Sequence, residues 1–216
     1  MRVPWVGIGT GRCGTKSLAA IVESCKNTEV GHETRQYISQ WYSNDLCLTE
    51  WCQMAQAKAE EGVLVGEVQL YMLPHIMFLR QRIPQLKVVH LHRDKQATVN
   101  SHVQKLKPMF RPFDKAKYYR DGSPWAGRYP LIDAASSEQA YEFWWEMYEA
   151  LGNTLTDPVF HINMEDLNND DEIRQLFDFL EIPEEDRIIP EQRNWKNKDW
   201  VALKGNDVAG HTIPDL

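Results

Sequence analysis

Residues Val6–Leu18 read VGIGTGRCGTKSL, and this stretch decides the fold. The apolar run Val3, Trp5, Val6, Ile8 before and into it predicts a buried strand. Behind Gly14 the apolar positions become Leu18, Ile21, Val22 and Cys25, which is helical spacing. Gly9–Gly14 is therefore a strand-to-helix turn. Glycines there let the backbone take positive φ and come close to a ligand. The helix start supplies unpaired N–H groups and a partial positive charge. Arg12 and Lys16 add full charges, and Thr15 and Ser17 add hydroxyls. Every donor in the turn suits an anion, most simply a phosphate or a sulfate.

The turn misses the common nucleotide signatures in an informative way. A Walker A loop places Gly-Lys-Ser/Thr after four spacer residues. Here Gly9 and four spacers reach Gly14, but Thr15 comes next and Lys16-Ser17 follow, so the lysine is displaced by one position. Gly9-x-Gly11-x-x-Gly14 fits the dinucleotide spacing. No acidic residue closes a second strand about 20 residues on in the expected way, although Glu29 and Glu33 are near.

Composition narrows the class. The chain has 216 residues, enough for one domain (1–216) with a good core. Its net charge of −7 argues against a general nucleic-acid binder, so an anion must be held by local cations. No apolar run reaches membrane-spanning length and no leader pattern is read, so no membrane partner is expected. Cys13, Cys25, Cys47 and Cys52 form no C-x-x-C pair and read as reduced thiols of a cytoplasmic protein. The seven histidines look scattered, with no metal-ligand spacing, so no metal is expected.

Strands and helices alternate along the chain. Strands are predicted at Val3–Gly9, Val63–Gly66, Lys87–His92 and Val159–Asn163, with a short one near Glu29–Glu33. Helices are predicted at Lys16–Cys25, Thr49–Glu61, Leu73–Ile83, Ala97–Leu106, Ser137–Leu155 and Asp171–Leu180. In the fifth, Tyr141, Trp144, Trp145, Tyr148, Leu151 and Leu155 form one stripe, with Ser136 and Gln139 as a capping box. Asn169 caps the sixth. This alternation implies an α/β fold with a mainly parallel sheet, helices on both faces, and ligands at the strands' carboxyl ends. Lys107–Ala135 breaks the pattern with four prolines and no steady period, and reads as a lid or acceptor-binding segment.

A second stretch, LKVVHLHRDKQATVNSH, repeats the logic of the first. A strand ends at His92, Arg93-Asp94 turns the chain, and a helix carries Ser101. A guanidinium and a hydroxyl so placed can converge on one phosphate. Together the motifs resemble the sulfotransferase family. GRCGTKSL is similar to its 5′-phosphosulfate loop, and VVHLHRDKQATVNS to its 3′-phosphate motif. YEFWWEMYEALGNTL and VFHINMEDLNNDDEIRQLFDFLEIP resemble its later segments, so the likeness runs from about Val3 to Pro183. It implies a P-loop-like three-layer sandwich and the donor 3′-phosphoadenosine 5′-phosphosulfate, with 3′,5′-adenosine bisphosphate as product and no metal required.

The resemblance implies roles for single residues. Arg12 falls where the family often has a lysine beside the leaving oxygen. Arg12, Cys13, Gly14, Thr15, Lys16 and Ser17 would hold the 5′-phosphosulfate, and Arg93 and Ser101 the 3′-phosphate. The family's later Lys/Arg-Gly element corresponds only to Lys204-Gly205, in NWKNKDWVALKGND. VGHETRQY resembles the Gly-Glu-Glu-Thr-Arg stretch of protein-tyrosine sulfotransferases, with His32 at the position of the first glutamate.

Sulfuryl transfer makes the demands of phosphoryl transfer: in-line positioning, cations at the leaving oxygen, and a base. His32 is the first candidate base near neutral pH, and Glu33 the rival if burial raises its pKa. Glu67 reads as a strand-end carboxylate in an ion pair, with orienting an acceptor as the alternative. His90 and His92 are taken to alternate on their strand, with one inward and satisfied. Trp125 is a candidate for gripping an acceptor. The reading is a sulfotransferase acting on a hydroxyl or amine of a small molecule, sugar or peptide. The alternatives are a P-loop small-molecule kinase, with Asp94 as a stand-in magnesium ligand, and a non-catalytic nucleotide-binding protein of the same fold.

Overall fold

The computed structural model describes residues 2–34, 41, 45–106, 130, 132–156 and 158–191. Strand β1 (Trp5–Ile8) leads into helix α1 (Thr15–Glu23), and β2 (Thr28–His32) is followed by α2 (Asp45–Glu60). Next come β3 (Leu64–Val68), a 3-10 turn (Leu70–His75), α3 (Ile76–Arg82), β4 (Lys87–His92) and α4 (Lys95–Leu106). Helix α5 (Ser137–Gly152), β5 (Val159–Asn163) and α6 (Asp170–Phe179) complete the α/β unit.

The five strands among the described residues are all parallel, in the order β2-β3-β1-β4-β5. Strand alternation sorts the side chains into two cores. Val6, Ile8, Val65 and Val88 pack with α2, α3 and α5, while Trp5, Val30, Leu64, Val89, Leu91 and Ile162 pack with α1 and α6. This is a three-layer sandwich, as the alternation of elements predicts. Connections leave β1 and β4 in opposite directions across the sheet, which opens a crevice at their carboxyl ends. The loops carrying Arg12 and Arg93 flank that crevice. Among the described residues, no helix is long and apolar enough to cross a membrane.

Several boundaries differ from the sequence reading, each for a local reason. The stretch read as one helix from Leu73 is a 3-10 turn and then α3, because Pro74 cannot donate a helical hydrogen bond. Strand β3 runs on to Val68, so Glu67 lies inside the strand, opposite Gly31 of β2. It is the penultimate residue of the strand, at its carboxyl end. Its buried carboxylate accepts from the Thr34 N–H and hydroxyl, at 3.2 and 2.8 Å. Leu151 is not part of the α5 stripe but 41% exposed, and Leu155 lies beyond the helix end. The buried stripe is Ala140, Tyr141, Trp144 and Tyr148, continuing to Gly152, where a side chain would collide with the His90 ring. The caps are as predicted, with one change: Gln139 reaches back to the Ala135 N–H at 2.7 Å rather than to that of Ser136. Asn169 accepts from the Asp171 N–H at 3.0 Å.

The aromatic residues of α5 do more than fill the core. A buried Tyr or Trp needs a partner for its polar tip. Tyr148 accepts from the Gly9 N–H at 3.0 Å and donates to the Leu70 carbonyl at 2.8 Å. Trp144 donates to the Thr10 carbonyl at 2.9 Å, and Trp145 to the Arg93 carbonyl at 3.1 Å. One helix thus ties down both loops at the crevice. Tyr148→Phe keeps the ring and strands a buried N–H, so it is expected to lower the unfolding free energy by about 2 kcal/mol. A fall in urea midpoint at unchanged slope is the measurement.

Candidate functional site

The turn after β1 is built for close approach. Gly11, Arg12 and Gly14 all have positive φ, at 78°, 58° and 89°. Glycine accepts that conformation freely, whereas Arg12 is strained in it by roughly 1 kcal/mol or more. Gly14 begins α1 without any side-chain cap, and no acidic residue lies in the first turn. The α1 N–H groups therefore point to the crevice with no acidic residue of their own first turn to offset the positive dipole. By contrast, α4 begins on Asp94, whose carboxylate accepts from the Ala97 N–H at 2.8 Å.

The two anion motifs meet. Arg12 Nε donates to Ser101 Oγ at 3.1 Å, and Arg93 Nη1 donates to the Arg12 carbonyl at 2.6 Å. Burial and then the nearby Arg93 guanidinium hold the Arg12 pKa below its ordinary value. Arg93 Nε is buried with no hydrogen-bond partner among the described residues. Neither guanidinium has an ion-pair partner among those residues. Two crowded like charges are costly alone and become favourable when an anion lies between them.

His102 lies against Gly11 and stacks on Tyr141, with ring centroids 4.6 Å apart and planes at 12°. Burial, followed by Arg12 and Arg93, pushes its imidazole down to about 4. A folded-state pKa below the unfolded value near 6.5 stabilises the fold above that pH, and the stabilisation is lost as pH falls towards 4. Between pH 7 and 5 the contribution is about 2 kcal/mol. His102→Phe is expected to flatten the urea-midpoint profile by about that amount over this interval.

At the other end of the turn stands His32, at the carboxyl end of β2. Its Nε2 lies 3.0 Å from the hydroxyl of Thr15, in the first turn of α1. Burial and the nearby Lys16 ammonium push the His32 imidazole down to about 3, so the ring is neutral at neutral pH. Glu33, the next residue, is exposed, and its own backbone φ is 51°. Cys13 turns inward: its thiol is fully buried, and burial pushes it up to about 11, so only its backbone faces the turn. Thr15 and Lys16 are half-buried at the helix start, and Ser17 is buried beside them. Lys204, Trp125 and most of Lys107–Ala135 lie outside the described residues.

The sequence reading of the histidines is corrected. His90 and His92 are two residues apart on a strand and therefore share a face. Their ring centroids are 4.0 Å apart, and neither nitrogen of the wholly buried His90 has a hydrogen-bond partner among the described residues. Nor are the histidines scattered, because His161 of β5 joins this pair. The readable signal was His-x-His in a strand.

No family model matches the chain, and no curated protein does. Among solved structures, a sulfotransferase from Alicyclobacillus acidocaldarius aligns over 93% of this chain and 88% of its own, with a TM-score of 0.52 and 13% sequence identity. The chain thus has a sulfotransferase-like α/β fold. At that identity the likeness is one of fold.

Proposed function

We propose that this protein is a sulfotransferase that takes a sulfuryl group from 3′-phosphoadenosine 5′-phosphosulfate and passes it to a hydroxyl or amine. The observation that carries the reading is the pair of guanidiniums, Arg12 and Arg93, crowded at the crevice with Ser101 bonded to one of them. A donor with anionic groups on the 3′ and 5′ positions of its ribose suits a site whose cations lie on two adjoining turns, Arg12 and Lys16 after β1 and Arg93 after β4. Bound there, the donor would supply an activated sulfuryl group on a phosphate leaving group.

The chain's residues divide the remaining work. Arg93 and Ser101 would hold the 3′-phosphate. Thr15, Ser17 and the α1 N–H groups would hold the 5′ end, with Lys16 and Arg12 offsetting charge on the leaving oxygen. His32 would take the acceptor's proton, its Nε2 released when the Thr15 hydroxyl turns to the donor. Asp94 is committed to capping α4, which weakens the kinase alternative. A second reading, a binder that does not transfer, draws on the low basicity of His32.

Calorimetric titration with 3′,5′-adenosine bisphosphate, beside ATP with magnesium, tests the reading. Micromolar or tighter binding of the bisphosphate is expected. Binding of ATP with magnesium alone would favour the kinase, and binding of neither would remove the donor assignment.

A further inference from the structure

The three clustered histidines have no role in the proposed transfer, and their arrangement is that of a ligand set. His90 and His92 project from one face of β4, and the parallel register sets His161 of β5 opposite His90. One ring nitrogen from each lies within 4.8 Å of the others. The ring centroids of His90 and His92 stand 5.5 and 5.1 Å from that of His161. Ligand nitrogens around one tetrahedral zinc ion are roughly 3.3 Å apart, so small ring rotations complete the set.

The surroundings support a built site. His90 is 0% exposed, and both its nitrogens lack hydrogen-bond partners among the described residues. Buried polar groups are costly to leave unsatisfied, unless something else completes them. Helix α5 makes room for this ring by ending in Gly152, where any side chain would strike it. His92 Nδ1 lies 2.7 Å from Glu149 Oε2, while Glu149 Oε1 has no hydrogen-bond partner among the described residues and lies 3.8 Å from His90 Nε2. A carboxylate on one imidazole nitrogen fixes the tautomer and turns the other lone pair outward, as in metal-binding histidines. That lone pair, on His92 Nε2, faces His161 Nδ1 at 2.8 Å. In the metal-free chain a proton bridges those two nitrogens. A metal ion would take its place, with His161 carrying its proton on Nε2 instead. His161 is exposed, so the fourth coordination position opens to solvent.

We propose that His90, His92 and His161 bind a divalent transition-metal ion of the zinc type, with Glu149 orienting His92. Imidazole ligands suit zinc, copper, iron or nickel rather than magnesium or calcium. The ion would clamp β4 to β5 immediately before Arg93. The assignment is independent of the transfer reading, and neither falls with the other.

The test uses the full chain, stripped with a chelator and titrated with cobalt(II), then with zinc(II) in competition. One equivalent of cobalt should bind, with the visible absorption of four-coordinate nitrogen and oxygen ligation, and zinc should displace it. His161→Ala changes an exposed side chain and should weaken zinc binding at least tenfold at an unchanged circular dichroism spectrum. Glu149→Gln should weaken it about 10- to 100-fold. Absence of saturable binding would overturn the proposal. So would zinc affinity kept at the wild-type level by both His161→Ala and His92→Ala, or cobalt charge-transfer bands that mark cysteine ligands.

Discussion

Replacing Arg12 and Arg93 together by alanine is expected to weaken binding of 3′,5′-adenosine bisphosphate by about 10²–10⁴-fold. Each guanidinium would give at least one charge-assisted hydrogen bond to a phosphate, worth about 1.5–3 kcal/mol. Two such losses total about 3–6 kcal/mol, and each 1.4 kcal/mol is about tenfold in affinity. The apo protein should suffer less. Arg93 loses its bond to the Arg12 carbonyl, but the repulsion between the two cations disappears with it. Added salt should narrow the gap between wild type and variant, since part of the attraction is screened. Lys95→Ala is the control, because Lys95 is bound to Glu146 on an exposed surface and should leave affinity unchanged. Affinity of the double variant within threefold of wild type would sink the donor-site assignment.

That pair also shows how far the sequence could be read. The residues of both motifs were legible because glycine, arginine and hydroxyl side chains after a strand make a local pattern. Their convergence was not, because it depends on β1 and β4 being neighbours. Once Val6 pairs with Val88 and Ile8 with His90, the turns after those strands must share one crevice. Arg12 then lies on Ser101, 89 positions away in the chain. Two motifs read separately thus meet through the Arg12–Ser101 and Arg93–Arg12 hydrogen bonds.

Other features were hidden for different reasons. The polar tips of Trp144, Trp145 and Tyr148 are invisible to a hydrophobic stripe, which counts these residues only as apolar bulk. In the fold those tips hold Gly9, Thr10 and Arg93 in place. The pattern also misplaced Leu151, because a stripe extended by rule ignores that α5 must give way to His90 at Gly152. The histidine cluster was missed through a period error. Residues two apart on a strand share a face, so the spacing of His90 and His92 is enough to make them a pair. The third member needed the register that sets His90 beside His161.

His32→Ala is expected to lower kcat by about 10²–10⁴-fold, the usual contribution of a positioned general base. Bisphosphate affinity should change little, because His32 contacts Thr15 rather than the Arg93 end of the crevice. Turnover can be followed as conversion of donor to bisphosphate, against a panel of hydroxyl acceptors and against water. The pH dependence carries the finer test. In the free protein burial, and then Lys16, push the His32 imidazole down to about 3, so kcat/KM for the donor should show no acid limb from this group above about pH 4. A bound anion beside Lys16 offsets that ammonium, which raises the His32 pKa in the complex. The acid limb of kcat should therefore lie at higher pH than that of kcat/KM. His32→Ala should remove this limb, and Glu33→Gln should leave it in place. If Glu33→Gln abolishes turnover while His32→Ala does not, the proton goes to the glutamate. If both variants turn over like wild type, the base lies elsewhere at the crevice.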